Sequence, residues 1–382
     1  MRILWINTVG VLGGAERSLV DLLPPLAALG HELTVACPRG ALAAAAAAAG
    51  ADVRSMPTVR LRRPSLRHPG WLTGWLALPA ARHRLAGIIR ARQPGVVHAN
   101  SLAAMLALPA LHGRPALWHV RDLRLPRAAA RLAARRASAI VAISPAVEAR
   151  LRELLPPGQH AKIGLIPNGI PLPDAATLPD RAEARRRLDL PPTAPLVGML
   201  AHFIPWKRHD RLIAAAAALA ARHPALHVVL AGGDLCAEHT GYVQRLRAQI
   251  AAAGLERRII LLGAVDQPLT FLRALDLLVH PADDEPFGRV VCEAMAAGTP
   301  VVAMNRGGPA TILEHDETGW LVDPDVPGAL AEAVERLLTD EVLRVRLAAR
   351  AAARVREAYD IRATAARLDA GYAALTAPRL PA

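Results

Sequence analysis

Two glutamates, Glu285 and Glu293, stand with seven residues between them around the turn Pro286-Phe287-Gly288, followed by Arg289 and Val290. A carboxylate can accept hydrogen bonds from hydroxyl groups, carry a proton, or face a developing positive charge, and paired carboxylates are a common acid/base device. On one continuous helix this pair would lie ~12 Å apart along the axis. That exceeds the ~5–9.5 Å used by glycoside-cleaving carboxyl pairs. Pro286 and Gly288 oppose such a helix in any case. The spacing therefore predicts two separate jobs. Glu285, on a loop, faces the reacting group; Glu293, inside a short helix that stops at Gly298, holds another part of the same ligand. Asp283-Asp284 just upstream lacks the spacing and partners of a metal-binding cluster, so no metal is expected.

Other groups fall where strands give way to loops. Val9-Gly10-Val11-Leu12-Gly13-Gly14 follows an apolar run and opens a helix, so the amides around Gly13 and Gly14 suit a phosphate as well as a plain structural turn. His119 ends a strand in Trp118-His119-Val120-Arg121-Asp122, with charged neighbours at the same edge. Gly198 to Lys207 runs from strand to loop to helix. Lys207 is one of only two lysines, with Lys162, in a chain that otherwise uses arginine. A compact ammonium acting as a point charge on a diphosphate is a physical reason for lysine there.

These positions require an alternating β/α frame, because open parallel sheets present their ligand groups at the carboxyl ends of strands. Strand-like runs lie at 2–8, 32–37, 95–99, 116–120 and 139–143, then at 196–200, 226–231, 258–262, 277–281, 300–304 and 319–322. Helical stretches, such as 16–29 and 128–136, lie between them. Pro24-Pro25 predicts a kink or break in the first helix. A Pro- and Asp-rich stretch, 173–194, reads as a linker between a domain at 1–172 and another at 195–355. The helical tail 356–382 is expected to pack back on the first domain.

With 382 residues the chain is long enough for two ordinary cores. Its mean hydropathy of +0.24 owes much to alanine, and apolar runs stop short of the ~18–20 residues a bilayer span needs. The start, Met1 to Ile6, is expected to be a first strand rather than a signal peptide. Cys37, Cys236 and Cys292 are scattered, without metal-ligand spacing, and read as buried thiols of a cytoplasmic protein. The net charge of +13 fits both an arginine-favouring composition and attraction to polyanions. Only 3% of residues are aromatic, which leaves no stacking platform for nucleic acid. Basic residues from Arg60 to Arg67, followed by Trp71 and Trp75, suit either an anionic membrane surface or a solvated loop.

Taken together, these residues resemble the retaining family 4 glycosyltransferases (glycosyl transferases group 1). The resemblance covers essentially the whole chain, and the double-glutamate segment is its most specific part. It implies the GT-B fold, α/β with two Rossmann-like doubly wound parallel-sheet domains facing across a cleft. It also implies transfer of a sugar, with retention, from a nucleoside diphosphate sugar to a hydroxyl of a glycan or lipid-linked acceptor, without a cofactor. Assembly of polysaccharide, lipopolysaccharide or glycolipid is the expected setting. A nucleotide-sugar epimerase or hydrolase on the same fold, or a non-catalytic nucleotide-sugar binding subunit, is the alternative.

By the same resemblance Glu285 and His119 are the catalytic residues, with His119 positioning the sugar or supporting positive charge. Gly13, Gly14, His202, Lys207, Val265, Phe287, Gly288, Arg289, Val290 and Glu293 bind the donor, Glu293 at the ribose and Val265 near the base. Pro167-Asn168-Gly169 is similar to the family's usual entry to the linker. The chain departs from the family pattern at Ala201-His202, where Gly-Arg is usual, and at Thr311, where glutamate is usual. Arg208 is the nearby cation expected to compensate for the first.

Overall fold

The computed structural model describes residues 1–60, 70–233 and 239–377. Residues 61–69, the side chains of Trp71 and Trp75, and Cys236 lie outside the described set, and with them most of the basic segment singled out above. The chain forms two compact units: Met1–Pro171 together with the stretch from Ile361 onward, and Leu172–Asp360.

In the first unit the described residues form a seven-stranded parallel sheet. Its strands are β1 (Arg2–Ile6), β2 (Glu32–Cys37), β3 (Asp52–Ser55), β4 (Val96–Ala99), β5 (Ala116–Val120), β6 (Ala139–Ala142) and β7 (Ile163–Leu165), in the order β3-β2-β1-β4-β5-β6-β7. The central strands are fully buried, as expected when helices cover both faces and each strand reads as a continuous apolar run. The edge strands β3 and β7 escaped the sequence reading. Their sequences, DVRS and IGL, lack such a run because an edge needs less burial.

The helix Gly14–Ala28 runs unbroken through Pro24 and Pro25, where a kink or break was expected. Each proline deprives a carbonyl one turn back, Val20 or Asp21, of its donor. Both of those residues are only partly buried, so water can serve them. Leu19, Leu22, Leu23 and Leu26 meanwhile form a buried stripe that packs against the C-terminal helix Ile361–Thr376. That helix contributes Ile361, Ala365, Leu368 and Tyr372 to the same core.

The second unit holds β8 (Leu196–Leu200), β9 (His227–Ala231), β10 (Ile259–Gly263), β11 (Leu277–His280), β12 (Val301–Met304) and β13 (Trp320–Val322). Among the described residues they form a six-stranded parallel sheet in the order β10-β9-β8-β11-β12-β13. The stretch expected as a linker contains the helix Arg181–Arg187, whose buried Arg185 fastens the entry to β8. Arg185 Nη2 meets Asp276 Oδ2 at 2.8 Å, and that oxygen also accepts the amide of Leu196 at 2.8 Å. Its Nη1 and Nε donate to the carbonyls of Ala194, Pro192 and Ala274.

Several basic side chains serve similarly at helix ends, where carbonyls lack intrahelical partners. Lys162 Nζ donates to Ala134 and Ala137 at 3.2 and 2.7 Å, and Arg258 Nη1 donates to Ala220 at 3.0 Å. Part of the arginine-rich composition is thus structural. Cys37 and Cys292 are buried free thiols, and burial pushes Cys37 up to about 11. Among the described residues no helix is long and apolar enough to cross a membrane.

Candidate active site

Because the strands of the second unit are parallel, the loops after β8, β10, β11 and β12 emerge at one edge of its sheet. They carry His202 and Lys207, Val265, Glu285, and Gly307-Gly308 respectively. After β11 the chain does not continue as one helix from Glu285 to Glu293. Gly288, at φ 103°, caps the separate helix Arg289–Ala296 from the left-handed region that suits glycine.

The loop bearing Glu285 is clamped from below. The Gly308 amide donates to the Glu285 carbonyl at 2.7 Å. A Cβ on Gly308 would stand 2.0 Å from the Phe287 carbonyl oxygen, and one on Gly307 (φ +65°) would stand 2.5 Å from that of Glu285. Only glycine permits this close backbone approach. Phe287, itself buried, packs edge-on against Tyr359 with ring centroids 5.8 Å apart.

Glu285 is 8% exposed and binds two donors through a single oxygen. Lys207 Nζ lies 2.5 Å from Oε2, and His280 Nε2, at the last position of β11, lies 3.1 Å from it. Burial alone would raise the carboxyl, but the Lys207 charge and the His280 hydrogen bond outweigh burial and hold it well below the usual carboxylate range. Burial keeps His280 neutral, its pKa lowered despite the bond to Glu285. An ionised carboxylate only accepts, so the proton of neutral His280 sits on Nε2. Among the described residues nothing donates to Oε1.

Lys207 also stands 4.3 Å above the Trp206 ring. Its ammonium carries three N–H groups, and Glu285 is its hydrogen-bonding partner here. The half-buried His202 meets the Gly233 carbonyl through Nδ1 at 3.3 Å. Arg208 binds Asp210 (Nη2–Oδ2 3.0 Å) and Asp283 (Nη1–Oδ2 3.0 Å), and Arg211 takes the other Asp283 oxygen at 2.7 Å. The guanidinium expected to replace a missing cation is therefore engaged with carboxylates. Arg289 and Glu293, both expected at the donor, pair with each other at 2.7 Å across one helical turn. Val265 lies half-buried in the loop after β10. Thr311 turns its hydroxyl back to the Gly308 carbonyl at 2.7 Å.

In the first unit a chain of buried polar groups underlies the glycine loop. The Gly13 amide donates to Glu16 Oε2 at 3.1 Å, while Asn7 Nδ2 reaches Glu16 Oε1 at 3.3 Å. Asn100 Nδ2 donates to Asn7 Oδ1 at 3.1 Å, and Arg121 Nε donates to Asn100 Oδ1 at 2.7 Å. Arg121 Nη1 continues to Asn168 Oδ1 at 3.0 Å. Two asparagine amides thus align head to tail between a buried carboxylate and a buried guanidinium, and the end charges fix which way each amide points. Gly13 is buried at the head of this chain and Gly14 is exposed.

His119 is wholly buried within β5. Its Nδ1 lies 3.0 Å from His98 Nε2, and His98 Nδ1 lies 2.7 Å from the Tyr372 hydroxyl. His98 stacks on Trp5 at 3.5 Å. Burial and then the Arg121 charge keep both imidazoles neutral, well below the ordinary histidine pKa. Arg121 Nη2, on the chain that reaches Gly13, lies 3.4 Å from the same His119 Nδ1, while the buried His119 Nε2 has no hydrogen-bond partner among the described residues.

Sequence reasoning missed His280, Asn7, Asn100, His98 and Tyr372. The available signal for His280 was a lone polar residue closing an otherwise apolar strand, five residues before Glu285. Asn7 and Asn100 each follow directly on a buried strand, a position where a core has no use for an amide. Nothing local marks Tyr372, which arrives from the far end of the chain.

Residues 12–173 match the family described as Glycosyltransferase Family 4, and residues 180–354 match Glycosyl transferases group 1. The chain belongs to the family 4 glycosyltransferases of GT-B fold. It is 36% identical over 199 residues to the D-inositol 3-phosphate glycosyltransferase of Corynebacterium glutamicum, covering 50% of this chain and 47% of that one. Against the lipopolysaccharide core biosynthesis glycosyltransferase LpsE of Rhizobium meliloti it is 33% identical over 166 residues, 44% of this chain and 46% of the relative. The match thus spans about half the length of these curated relatives. Over its full fold it resembles Anabaena Alr3699/HepE, crystallised with UDP-glucose, with a TM-score of 0.83 and 26% identity, covering 98% of this chain and 100% of that one.

Proposed function

We propose that this chain is a retaining, metal-independent glycosyltransferase that moves a sugar from a nucleoside diphosphate sugar to a hydroxyl of a glycan or lipid-linked acceptor in cell-envelope assembly. The observation that carries this reading is Glu285: an ionised carboxylate, anchored through Oε2, with Oε1 open at the strand edge. An acceptor-only group in that state suits the hydroxyls of a neutral sugar. Beside it, the remaining N–H groups of Lys207 suit a diphosphate that must gain negative charge as it leaves. The Arg289–Glu293 pair lies one segment further on, where Glu293 would meet the ribose. The pairing of Asp283 with two arginines supports metal independence. The UDP-glucose complex of the Anabaena protein supports a nucleotide-sugar donor.

In this reading Gly13 and Gly14 face the diphosphate. His119 positions the sugar or supports the positive charge that develops on it. The enzyme works at the cytoplasmic side of the membrane, and residues 60–75 contact anionic lipid.

A thermal-shift panel of uridine, guanosine and adenosine diphosphate sugars tests the donor. A ligand at 100 times its dissociation constant stabilises by ~2.7 kcal/mol. The responding donor is then followed for transfer with acceptor present and absent. Turnover without any acceptor would point to an epimerase or hydrolase. Binding without turnover across an acceptor panel would point to a binding subunit. Full transfer by Glu285→Gln would remove Glu285 from the mechanism.

A further inference from the structure

We infer that His280 is a positioning residue for the reaction: its Nε2–H, with Lys207, holds Glu285 by one carboxylate oxygen so that the other is presented to substrate in a single orientation. The inference deepens the function proposed above and rests on it. Three observations carry it.

Glu285 receives both of its donors on Oε2, from Lys207 at 2.5 Å and His280 at 3.1 Å, and none of the described residues donates to Oε1. Two donors converging on one oxygen, one from a loop and one from a strand end, restrict the carboxylate's orientation more than a single flexible lysine can. Lys207 reaches in from the loop after β8, at the end of a four-carbon stem. His280 is fixed in the last position of β11, 1% exposed, and paired through the strand to Ala303 of β12. The rigid partner is therefore the histidine. The Glu285 backbone is held separately by Gly308, so the side-chain hydrogen bond from His280 has no duty in keeping the loop in place.

Charge makes the division of work sharper. Lys207 has further N–H groups to offer an anionic donor substrate, and an arriving diphosphate competes with Glu285 for the same ammonium. When it does so, His280 is the donor that stays on Oε2. A neutral imidazole is suited to that duty, because it holds the carboxylate without cancelling the charge that a sugar hydroxyl must feel. The histidine touches neither donor nor acceptor; it acts through Glu285.

The test compares His280→Phe, which keeps an aromatic ring but removes the donor, with His280→Gln, whose side-chain amide can restore it. Steady-state transfer is measured with the donor found in the panel above. His280→Phe is expected to lower kcat about 10- to 100-fold, the cost of a misplaced catalytic group. The KM for donor should move less than about threefold, since the diphosphate contacts are untouched. His280→Gln should recover most of that loss. A His280→Phe enzyme with wild-type kcat, or a His280→Gln enzyme no better than it, would overturn the inference.

A second readout needs no turnover. Nitrogen-15 NMR of the histidine rings at pH 7 should show His280 neutral with its proton on Nε2, and that resonance should shift in Glu285→Gln. A proton on Nδ1, or no response to Glu285→Gln, would overturn the inference. If the wild-type chain transfers no sugar, the functional proposal falls while the NMR result still decides the His280–Glu285 geometry.

Discussion

Removing the Lys207 ammonium is the perturbation whose consequences can be worked furthest. At 2.5 Å from Glu285 Oε2, with side chains 14% and 10% exposed, the pair is largely screened from solvent. At an effective dielectric near 20, two unit charges at that separation attract by about 7 kcal/mol before desolvation is subtracted. Taking both ions out of water costs several kcal/mol, so the pair is worth far less than its gross attraction. Deleting one partner is a different matter, because it leaves the other charge buried and uncompensated, at a typical cost of about 3–5 kcal/mol.

Lys207→Met should therefore destabilise the second unit by roughly 3 kcal/mol, at the low end of that range because His280 still donates to Glu285. Glu285→Gln alone should cost less, since an amide can keep a hydrogen bond to Lys207. The double variant should lose about 2 kcal/mol less than the sum of the two single losses. Urea unfolding read by hydrogen exchange of the β8 and β11 peptides reports this unit by itself. Lys207→Met should also raise the Glu285 pKa, so the folded variant takes up a proton there more readily than the folded wild type, and the stability gap between the two should narrow as pH drops from 6 to 4. A coupling below about 0.5 kcal/mol, or identical acid profiles, would refute the electrostatic account of Glu285.

Burial lowers His209 from the ordinary histidine value to about 4, so the unfolded chain binds protons there first. Its contribution is complete above about pH 6.5 and is lost as pH falls toward 4, for a total of roughly 3 kcal/mol. His209→Phe, packed between Phe203 and Tyr242, should flatten the acid limb of urea midpoints measured between those pH values. Gly308→Ala places a methyl 2.0 Å from the Phe287 carbonyl oxygen and should displace the Glu285 loop. Transfer should fall by more than about tenfold, whereas the exposed Gly241→Ala should be nearly neutral by the same assay. Arg185→Met leaves Asp276 and several carbonyls without their buried donor and should cost at least ~3 kcal/mol in unfolding experiments, with Arg185→Lys recovering only part.

Both sheets were legible because buried parallel strands must be continuous apolar runs. The runs ending at Ile6, Ala231 and Met304 could be placed from hydropathy alone. β3 and β7 were not, since edge strands as short as DVRS and IGL carry no such requirement. Pro24-Pro25 misled for the opposite reason: a local rule gave way to the tertiary burial of Leu22, Leu23 and Leu26. At the site, Glu285, Lys207 and the Phe287-Gly288 turn were readable as unusual residue types at strand ends. Their pairing was not, because it joins positions 78 residues apart. The same holds for Arg208, whose partner Asp283 lies across two loops, and most of all for the contact between His98 and Tyr372, 274 residues apart.

That last contact bears on how the protein is made. The first unit begins at Met1, is interrupted at Pro171, and resumes only at Ile361. Some 190 residues of the second unit thus leave the ribosome before the helix carrying Leu368 and Tyr372, on the order of 10–40 s at typical synthesis rates of about 5–20 residues per second. Throughout that interval the stripe Leu19, Leu22, Leu23 and Leu26 lacks its cover, and His98 lacks the hydroxyl that satisfies it. The nascent first unit is a sheet waiting for its last layer, while the second unit is complete in one continuous stretch. The order of maturation therefore runs against the order of synthesis: the inserted unit closes first, and the unit that was begun first is finished last.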